Sequence, residues 1–152
     1  MSDTSSLPLP HLDDGPVAPL WRAAEAREFC LPRCRKCGAF VWYPKGECNQ
    51  CQGRDIDWHT LSGRGTLFSW AVVKRALHKP LAPIAPYISA IIVIEEDGLT
   101  RFVTRLIDCD PQQLRSGMAV EVRFADLGYP AAETGITAPL FTICKPNERG
   151  QE

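Results

Sequence analysis

The chain has 152 residues, which is enough for one domain, or for one domain and a small additional module. Hydrophobic residues make up 45% of it, a share that excludes an intrinsically disordered protein. Its 17 Lys and Arg residues are balanced by 18 Asp and Glu residues. The formal net charge of -1 lacks the basic excess that is typical of nucleic-acid-binding proteins.

The seven cysteines, an odd number, do not fit a closed disulfide framework. No basic segment followed by an apolar one precedes the first cysteine. The longest strongly apolar stretch, residues 88–94, is less than half of the about 20 residues that a membrane-spanning helix needs. We therefore expect a cytoplasmic protein with reduced thiols, in which paired CxxC motifs indicate a metal site.

The first part of the chain is predicted to contain a leader and a helix. Residues 1–19 are rich in proline and are predicted to be a flexible leader. Residues 20–33 are predicted to be a helical segment, because strong helix formers fill residues 20–29 and Trp21 offers a large anchor for packing. Pro32 is expected to end this helix.

Two CxxC motifs follow, Cys34 with Cys37 and Cys48 with Cys51. A CxxC turn puts two thiolates on one side of a loop, and two facing turns complete a tetrahedron. Residues 34–55 are therefore predicted to form a zinc ribbon with one structural zinc, since four protein ligands leave no position for water or substrate. Iron held by four thiolates is the alternative metal, and four buried core cysteines are the alternative without metal.

Other residues in and around the ribbon carry secondary predictions. Gly38 and Gly53 are expected to supply the left-handed backbone that CxxC turns often need. Cys30 is a conceivable substitute ligand, although Cys30, Cys109 and Cys144 are all predicted to be small packing residues.

Residues 56–145 are predicted to form a five-stranded OB-fold barrel, because short segments of alternating apolar residues are separated by turn signals. The predicted barrel strands cover residues 65–73, 87–95, 99–107, 120–124 and 139–144. The predicted fold class is therefore mostly β, with an N-terminal helix, a rubredoxin-like zinc ribbon and a C-terminal OB-fold barrel.

Three smaller features complete the prediction. Residues 79–86 carry prolines at every third position, which predicts a polyproline II arm projecting from the barrel. Asp110 is the expected N-cap of one helical turn, with Pro111 at its first position. Residues 146–152 are predicted to be a tail.

The order of these parts resembles the DUF35 family, in which a rubredoxin-like zinc ribbon precedes an OB-fold. The resemblance covers residues 20 to 145 and rests on the ribbon, on the sequence SGRGT at 62–66, on the Pro-Tyr pair at 86–87 before Ile91, and on Leu114 with the Gly-Met pair at 117–118. Three positions of the ribbon depart from the family pattern, namely Gly46, Asn49 and Gln52.

The resemblance implies an accessory subunit of enzymes that act on acyl-CoA thioesters. Such a subunit is expected to bind a thiolase-fold enzyme, which is a thiolase or a lipid-transfer-type thiolase or aldolase. The two form a hetero-oligomer, namely an acyl-CoA thiolase, aldolase or acyltransferase complex. It is expected to have no catalytic activity of its own and to support acyl-CoA binding or turnover through its OB-fold.

Four residues are candidates for contact with acyl-CoA or with the partner, namely Lys74, Arg75, His78 and Lys79. Basic side chains suit the phosphates of CoA, and these four cluster where the first long strand enters the proline-rich arm. A solvated loop at a strand end is the alternative interpretation.

Two other classes of function compete with the accessory subunit. Single-stranded nucleic-acid binding is the alternative, since ribbons and OB-folds both serve it and Phe40, Trp42 and Tyr43 offer faces for stacking. The acidic net charge of the whole chain argues against it. Stand-alone catalysis is not expected, because no histidine belongs to a recognisable catalytic motif.

Overall fold

The computed structural model describes residues 9–129, 132 and 135–145. It contains an α-helix and seven strands, which are α1 (Ala18–Glu25), β1 (Cys30–Cys34), β2 (Ile56–Thr60), β3 (Arg64–Val73), β4 (Tyr87–Ile94), β5 (Arg101–Leu106), β6 (Ala119–Asp126) and β7 (Thr137–Ile143). Two 3-10 helices cover Lys79–Ile84 and Pro111–Gln113. Residues 1–8 of the predicted leader and the predicted tail at 146–152 lie outside the described residues.

Five strands close into a barrel in the order β3-β4-β5-β7-β6, which confirms the predicted five-stranded OB-fold. The closing pair joins β3 to β6 in antiparallel register, with Gly65 opposite Val120. Along β4, Ile88, Ala90, Ile92 and Ile94 are buried in alternation with more exposed residues. This period of two places one face of each strand in a common core.

The first segment of the predicted barrel domain, residues 56–60, does not join the barrel. Instead, β2 pairs with β1 in a separate two-stranded sheet, with Cys34 opposite Ile56. This small sheet is fixed to the barrel by aromatic packing, since the ring of Phe29 lies 5.1 Å from that of Phe102 and 5.5 Å from that of Phe141. The cysteine-bearing segment is thereby held at one end of the barrel.

The helix is shorter than predicted and Pro32 does not end it. α1 ends at Glu25, and Arg27 then takes a left-handed backbone with φ of 59°. Pro32 lies inside β1, where its missing N–H is tolerated because the sheet has only two strands. Leu20 and Ala24 form the buried side of the helix.

The predicted polyproline II arm is wrong, because residues 79–84 form a 3-10 helix. The backbone N–H of Leu81 donates to the carbonyl of His78 at 3.0 Å, and that of Ala85 donates to the carbonyl of Ala82 at 3.3 Å. A φ near −65° fits both conformations, and a proline at every third residue also matches the three-residue turn of a 3-10 helix. The spacing therefore could not distinguish them.

The second 3-10 helix follows its predicted cap. The carboxylate of Asp110 accepts a hydrogen bond from the backbone N–H of Gln112 at 2.9 Å. None of the described helices is long and apolar enough to cross a membrane.

Candidate functional site

The four cysteines of the two CxxC motifs come together at the base of the β1–β2 sheet. Their Sγ atoms all lie within 4.8 Å of one another, with 3.6 Å between Cys34 and Cys51 and 3.5 Å between Cys37 and Cys48. Four thiolates around one tetrahedral metal ion lie about 3.8 Å apart when each metal–sulfur bond is about 2.3 Å. The cluster can therefore hold a metal ion, and all four thiols are free of disulfides.

The two cysteine turns have the same hydrogen-bonding pattern. The carbonyl of Cys34 accepts from the backbone N–H of Gly38 at 2.9 Å, and the carbonyl of Cys48 accepts from that of Gln52 at 2.9 Å. Gly38 and Gln52 also have left-handed φ values, 77° and 56°. The turns are thus two copies of one local structure facing each other across the cluster.

Gly53 has a different role from the one predicted. The left-handed residue of the second turn is Gln52, so the expectation that Gly53 supplies this conformation is wrong. A Cβ added at Gly53 would lie 3.2 Å from the Sγ of Cys51 and 3.3 Å from that of Cys34. Glycine is needed there because the backbone passes close to the thiols.

Backbone N–H groups polarise the cluster unevenly. Hydrogen bonds from the backbone at Cys51 and Gln50 lower the pKa of the Cys48 thiol to about 7. At Cys37 the backbone at Ala39 lowers the pKa, but burial and hydrogen bonds with the other thiols outweigh it and raise the pKa to about 11. Because a metal binds the thiolate, Cys48 is more readily available as a ligand at neutral pH than Cys37 is.

The other three cysteines stand apart from the cluster. Cys30 is buried in β1, and its Sγ lies 3.4 Å from the hydroxyl of Thr60. Cys109 and Cys144 are partly buried, and burial raises the pKa of both thiols. Among the described residues, only the four CxxC cysteines form a group with metal-binding geometry.

The aromatic and basic residues of the ribbon are partly engaged within the chain. Trp42 packs on the barrel, with its ring 5.2 Å from that of Phe102. The guanidinium of Arg33 lies over the ring of Phe40 at 5.4 Å. Arg35 forms an ion pair with Asp57 at 2.7 Å. Of the residues that the nucleic-acid alternative would use, Tyr43 is 50% exposed, and Lys36, Lys45 and Arg54 are exposed without a described ion pair.

Lys74, Arg75 and His78 lie in the exposed connection between β3 and the first 3-10 helix, and Lys79 is the exposed first residue of that helix. We call residues 74–79 the basic loop. None of the four forms an ion pair with another described residue. Leu77, in the middle of the basic loop, is 97% exposed. The structure therefore presents four basic side chains around one apolar side chain to solvent.

The outer face of the barrel carries apolar residues that the sequence analysis did not single out. Phe68 is 43% exposed and Val103 is 65% exposed. They flank Ile91, which pairs with Ser69 on one side and with Val103 on the other. The guanidinium of Arg101 lies over the ring of Phe68 at 3.9 Å. We call Phe68, Ile91 and Val103 the outer barrel face.

A four-cysteine ribbon on a closed OB-fold barrel defines the class of protein, and sequence comparisons identify the family. The family model described as the C-terminal OB-fold domain of ChsH2 matches residues 58–125. A DUF35 domain-containing scaffold protein of Methanocaldococcus jannaschii is 36% identical over 117 residues, which are 74% of this chain and 79% of that protein. The chain belongs to the DUF35 family, as its ribbon and its SGRGT turn indicated.

Two further relatives are enzymes or parts of enzymes. A probable enoyl-CoA hydratase alpha subunit of Thermomonospora curvata is 28% identical over 128 residues, covering 84% of this chain but only 37% of that protein. Among solved structures, a chain of the Ltp2-ChsH2(DUF35) aldolase matches with a TM-score of 0.71 and 26% identity. That match covers 86% of this chain and 95% of the other.

Proposed function

We propose that this chain is a non-catalytic accessory subunit that binds a thiolase-fold enzyme and supports its binding or turnover of acyl-CoA. The observation that carries the proposal is the similarity to the DUF35 chain of an aldolase, which extends over 95% of that chain. A relative that is a scaffold protein and another that is a hydratase subunit named for enoyl-CoA support the same assignment.

The outer barrel face is the surface we assign to the partner enzyme. Monomeric proteins rarely expose contiguous apolar patches, and such patches mark interaction sites. Phe68 and Val103 are exposed on adjacent parts of this face, and Arg101 beside them offers a charged group for the rim of an interface. Aromatic and arginine side chains contribute most strongly to binding at such positions.

The histidines support a subunit without its own catalytic centre. All three are exposed, and they lie on separate parts of the structure. His11 precedes α1 and pairs with Asp14 at 3.4 Å, His59 is in β2, and His78 caps the first 3-10 helix. Chemistry in the complex is therefore assigned to the partner enzyme.

The metal of the cysteine cluster is proposed to be one structural zinc ion. Four thiolates satisfy tetrahedral zinc and leave no position for substrate. The ribbon has only a small core of its own, formed by Cys34, Val41 and Cys48. Zinc binding to such sites contributes about 10–16 kcal/mol to folding, which compensates for the small core.

Co-expression with the thiolase-like enzyme of the same organism tests the proposal. We expect the two chains to elute together in size-exclusion chromatography and acyl-CoA turnover to be higher with this chain than without it. Phe68→Glu should abolish co-elution, because it replaces an aromatic side chain of the outer barrel face with a charge. Leu9→Glu is the control, since Leu9 is similarly exposed at 37% but precedes α1. A chain that neither binds the enzyme nor changes its turnover would refute the proposal.

A further inference from the structure

A cavity of about 320 Å³ lies between α1, the ribbon, the first 3-10 helix and the barrel. Two of the strands that line it, β5 and β7, share a single register pair, Leu106 with Phe141. The hydroxyl of Thr104 also links these strands by donating to the carbonyl of Pro139 at 3.0 Å. The helix covers the opening from outside, with Leu20 among the lining residues.

The wall of the cavity is mainly aromatic and aliphatic. Trp21 comes from α1, Trp42 from the ribbon, Leu81 from the 3-10 helix and Tyr87 from β4. Among its described lining residues, Arg105 of β5 is the single charged side chain. Small-molecule sites have this composition, in which apolar walls surround a few polar groups that fix the orientation of the ligand.

The guanidinium of Arg105 lacks a partner within the described part of the chain. Its Nε is buried and makes no hydrogen bond there. Arg105 also lines a neighbouring cavity together with Asp108 and Asp126, but neither carboxylate forms an ion pair with it. The carboxylate of Asp126 instead accepts a hydrogen bond from the backbone N–H of Gly128. A buried donor without an acceptor costs free energy that a bound anion would recover.

We propose that this cavity binds a small amphipathic monocarboxylate, such as a medium-chain fatty acid anion. The carboxylate binds the guanidinium of Arg105, whose planar fork matches a carboxylate in two parallel hydrogen bonds. The hydrocarbon part packs against the indole rings of Trp21 and Trp42. One positive group in an apolar cavity suits a single negative charge, because a second charge would be buried without a partner.

The site is a property of this chain alone and goes beyond the proposed accessory role. It requires neither the partner enzyme nor the basic loop, since none of Lys74, Arg75, His78 and Lys79 lines the cavity. Binding measurements on the full-length chain without any partner therefore test it independently of the accessory function.

Titration of the chain with octanoate, followed by tryptophan fluorescence and calorimetry, tests the proposal. We expect saturable binding of octanoate, with the fluorescence change arising from Trp21 and Trp42. Octan-1-ol and octylamine, which have the same chain without a carboxylate, should bind at least about tenfold more weakly. Octyl phosphate should also bind at least about tenfold more weakly, because it carries more than one negative charge near neutral pH.

Variants of two arginines on β5 provide the matched comparison. Arg105→Met should weaken octanoate binding about tenfold or more, whereas Arg101→Met removes the same charge from the same strand and should leave it unchanged. Without octanoate, the melting temperature of Arg105→Met should equal or exceed that of the parent, because the variant removes an unpartnered buried donor. Equal binding of octanoate and octan-1-ol by the parent chain, equal effects of the two variants, or no saturable binding would each overturn the proposal.

Discussion

Gly38 and Gln52 occupy the same position in the two cysteine turns, and both adopt a left-handed backbone. Each donates its N–H to the carbonyl of the first cysteine of its turn, Cys34 or Cys48, at 2.9 Å. Glycine adopts this conformation without steric cost, whereas a residue with a Cβ does not. The second turn therefore stores strain that the first turn lacks.

Replacing Gln52 with glycine should relieve this strain. We expect Gln52→Gly to raise the free energy of unfolding by about 1 kcal/mol, the cost of a left-handed residue with a Cβ. Denaturant unfolding of the metal-loaded protein measures the change. Gly38→Gln is the reciprocal variant and should lower stability by a similar amount. A loss of stability in Gln52→Gly would contradict this account of the turn.

Gly65 is required for a different reason, which is close contact between strands. A Cβ added there would clash with the carbonyl oxygen of Val93, a backbone atom that cannot move aside. We expect Gly65→Ala to destabilise the barrel by about 2 kcal/mol or more, as overpacking of a core does. Gly98→Ala is the control in thermal unfolding. Gly98 has a left-handed φ of 60°, but a Cβ added there would meet no other atom within 4 Å. An equal effect of both variants would rule out the contact as the cause.

The parts of the fold that were predicted correctly depend on local patterns. The β-branched and apolar run at residues 87–95 predicted strand β4, and the structure buries every second residue of it, because the period of a strand is two residues. The spacing of the CxxC motifs predicted that their four cysteines come together, and their Sγ atoms lie within 4.8 Å of one another.

The parts that were missed depend on contacts between distant segments. The left-handed residue was assigned to Gly53 because glycine favours that conformation, yet hydrogen bonding to Cys48 puts it at Gln52. Arg105 alternates with the buried residues of β5, as the exposed Arg101 and Val103 do, yet it lines a cavity to which α1 and the ribbon also contribute. No pattern in one strand indicates which segment will cover it.

The turn between β4 and β5 should make stability depend on pH. Partial burial raises the pKa of Asp97, but hydrogen bonds from the hydroxyl and N–H of Thr100 and from the N–H of Leu99 outweigh it and hold the pKa below its ordinary value. A carboxyl group with a lowered pKa in the folded state stabilises it above the unfolded-state pKa of about 4. This contribution disappears as the pH falls through the folded-state pKa.

Asp97→Asn should therefore be less stable than the parent chain at pH 7, and the difference should shrink below about pH 4. Denaturant unfolding at a series of pH values measures it. Asp13→Asn, at an exposed position before α1, is the comparison and should show a smaller difference at pH 7. A difference between Asp97→Asn and the parent that stays constant with pH would exclude the proposed role of the charge.

Removal of the metal should unfold the ribbon and leave the barrel folded. We expect one zinc ion per chain, and its chelation should increase hydrogen exchange in residues 30–55, whose own core is small. Strands β3 to β7 should stay protected, since most of the residues in their core come from the barrel, although Leu31, Phe40 and Trp42 also pack there. Mass-resolved hydrogen exchange with metal analysis tests both expectations.

Two cysteine variants test which cysteines bind the metal. Cys37→Ser should lose zinc, whereas Cys144→Ser should retain it, because Cys144 lies outside the cluster. A visible absorption band of the purified protein would indicate iron instead of zinc. Unchanged protection of residues 30–55 in metal-free protein would show that the ribbon does not need a metal.

The basic loop should contribute more to acyl-CoA binding than to subunit assembly. Its four basic groups are exposed and have no ion-pair partners among the described residues, which leaves them available for the phosphates of CoA. We expect the double variant Lys74→Ala/Arg75→Ala to raise the KM of the complex for acyl-CoA by about twofold to fivefold per charge, the range for exposed ion pairs. The double variant Lys45→Ala/Arg54→Ala removes the same charge from the ribbon and should leave KM unchanged. If the loop variant weakens co-elution with the enzyme and leaves KM unchanged, the loop contacts the partner and not CoA.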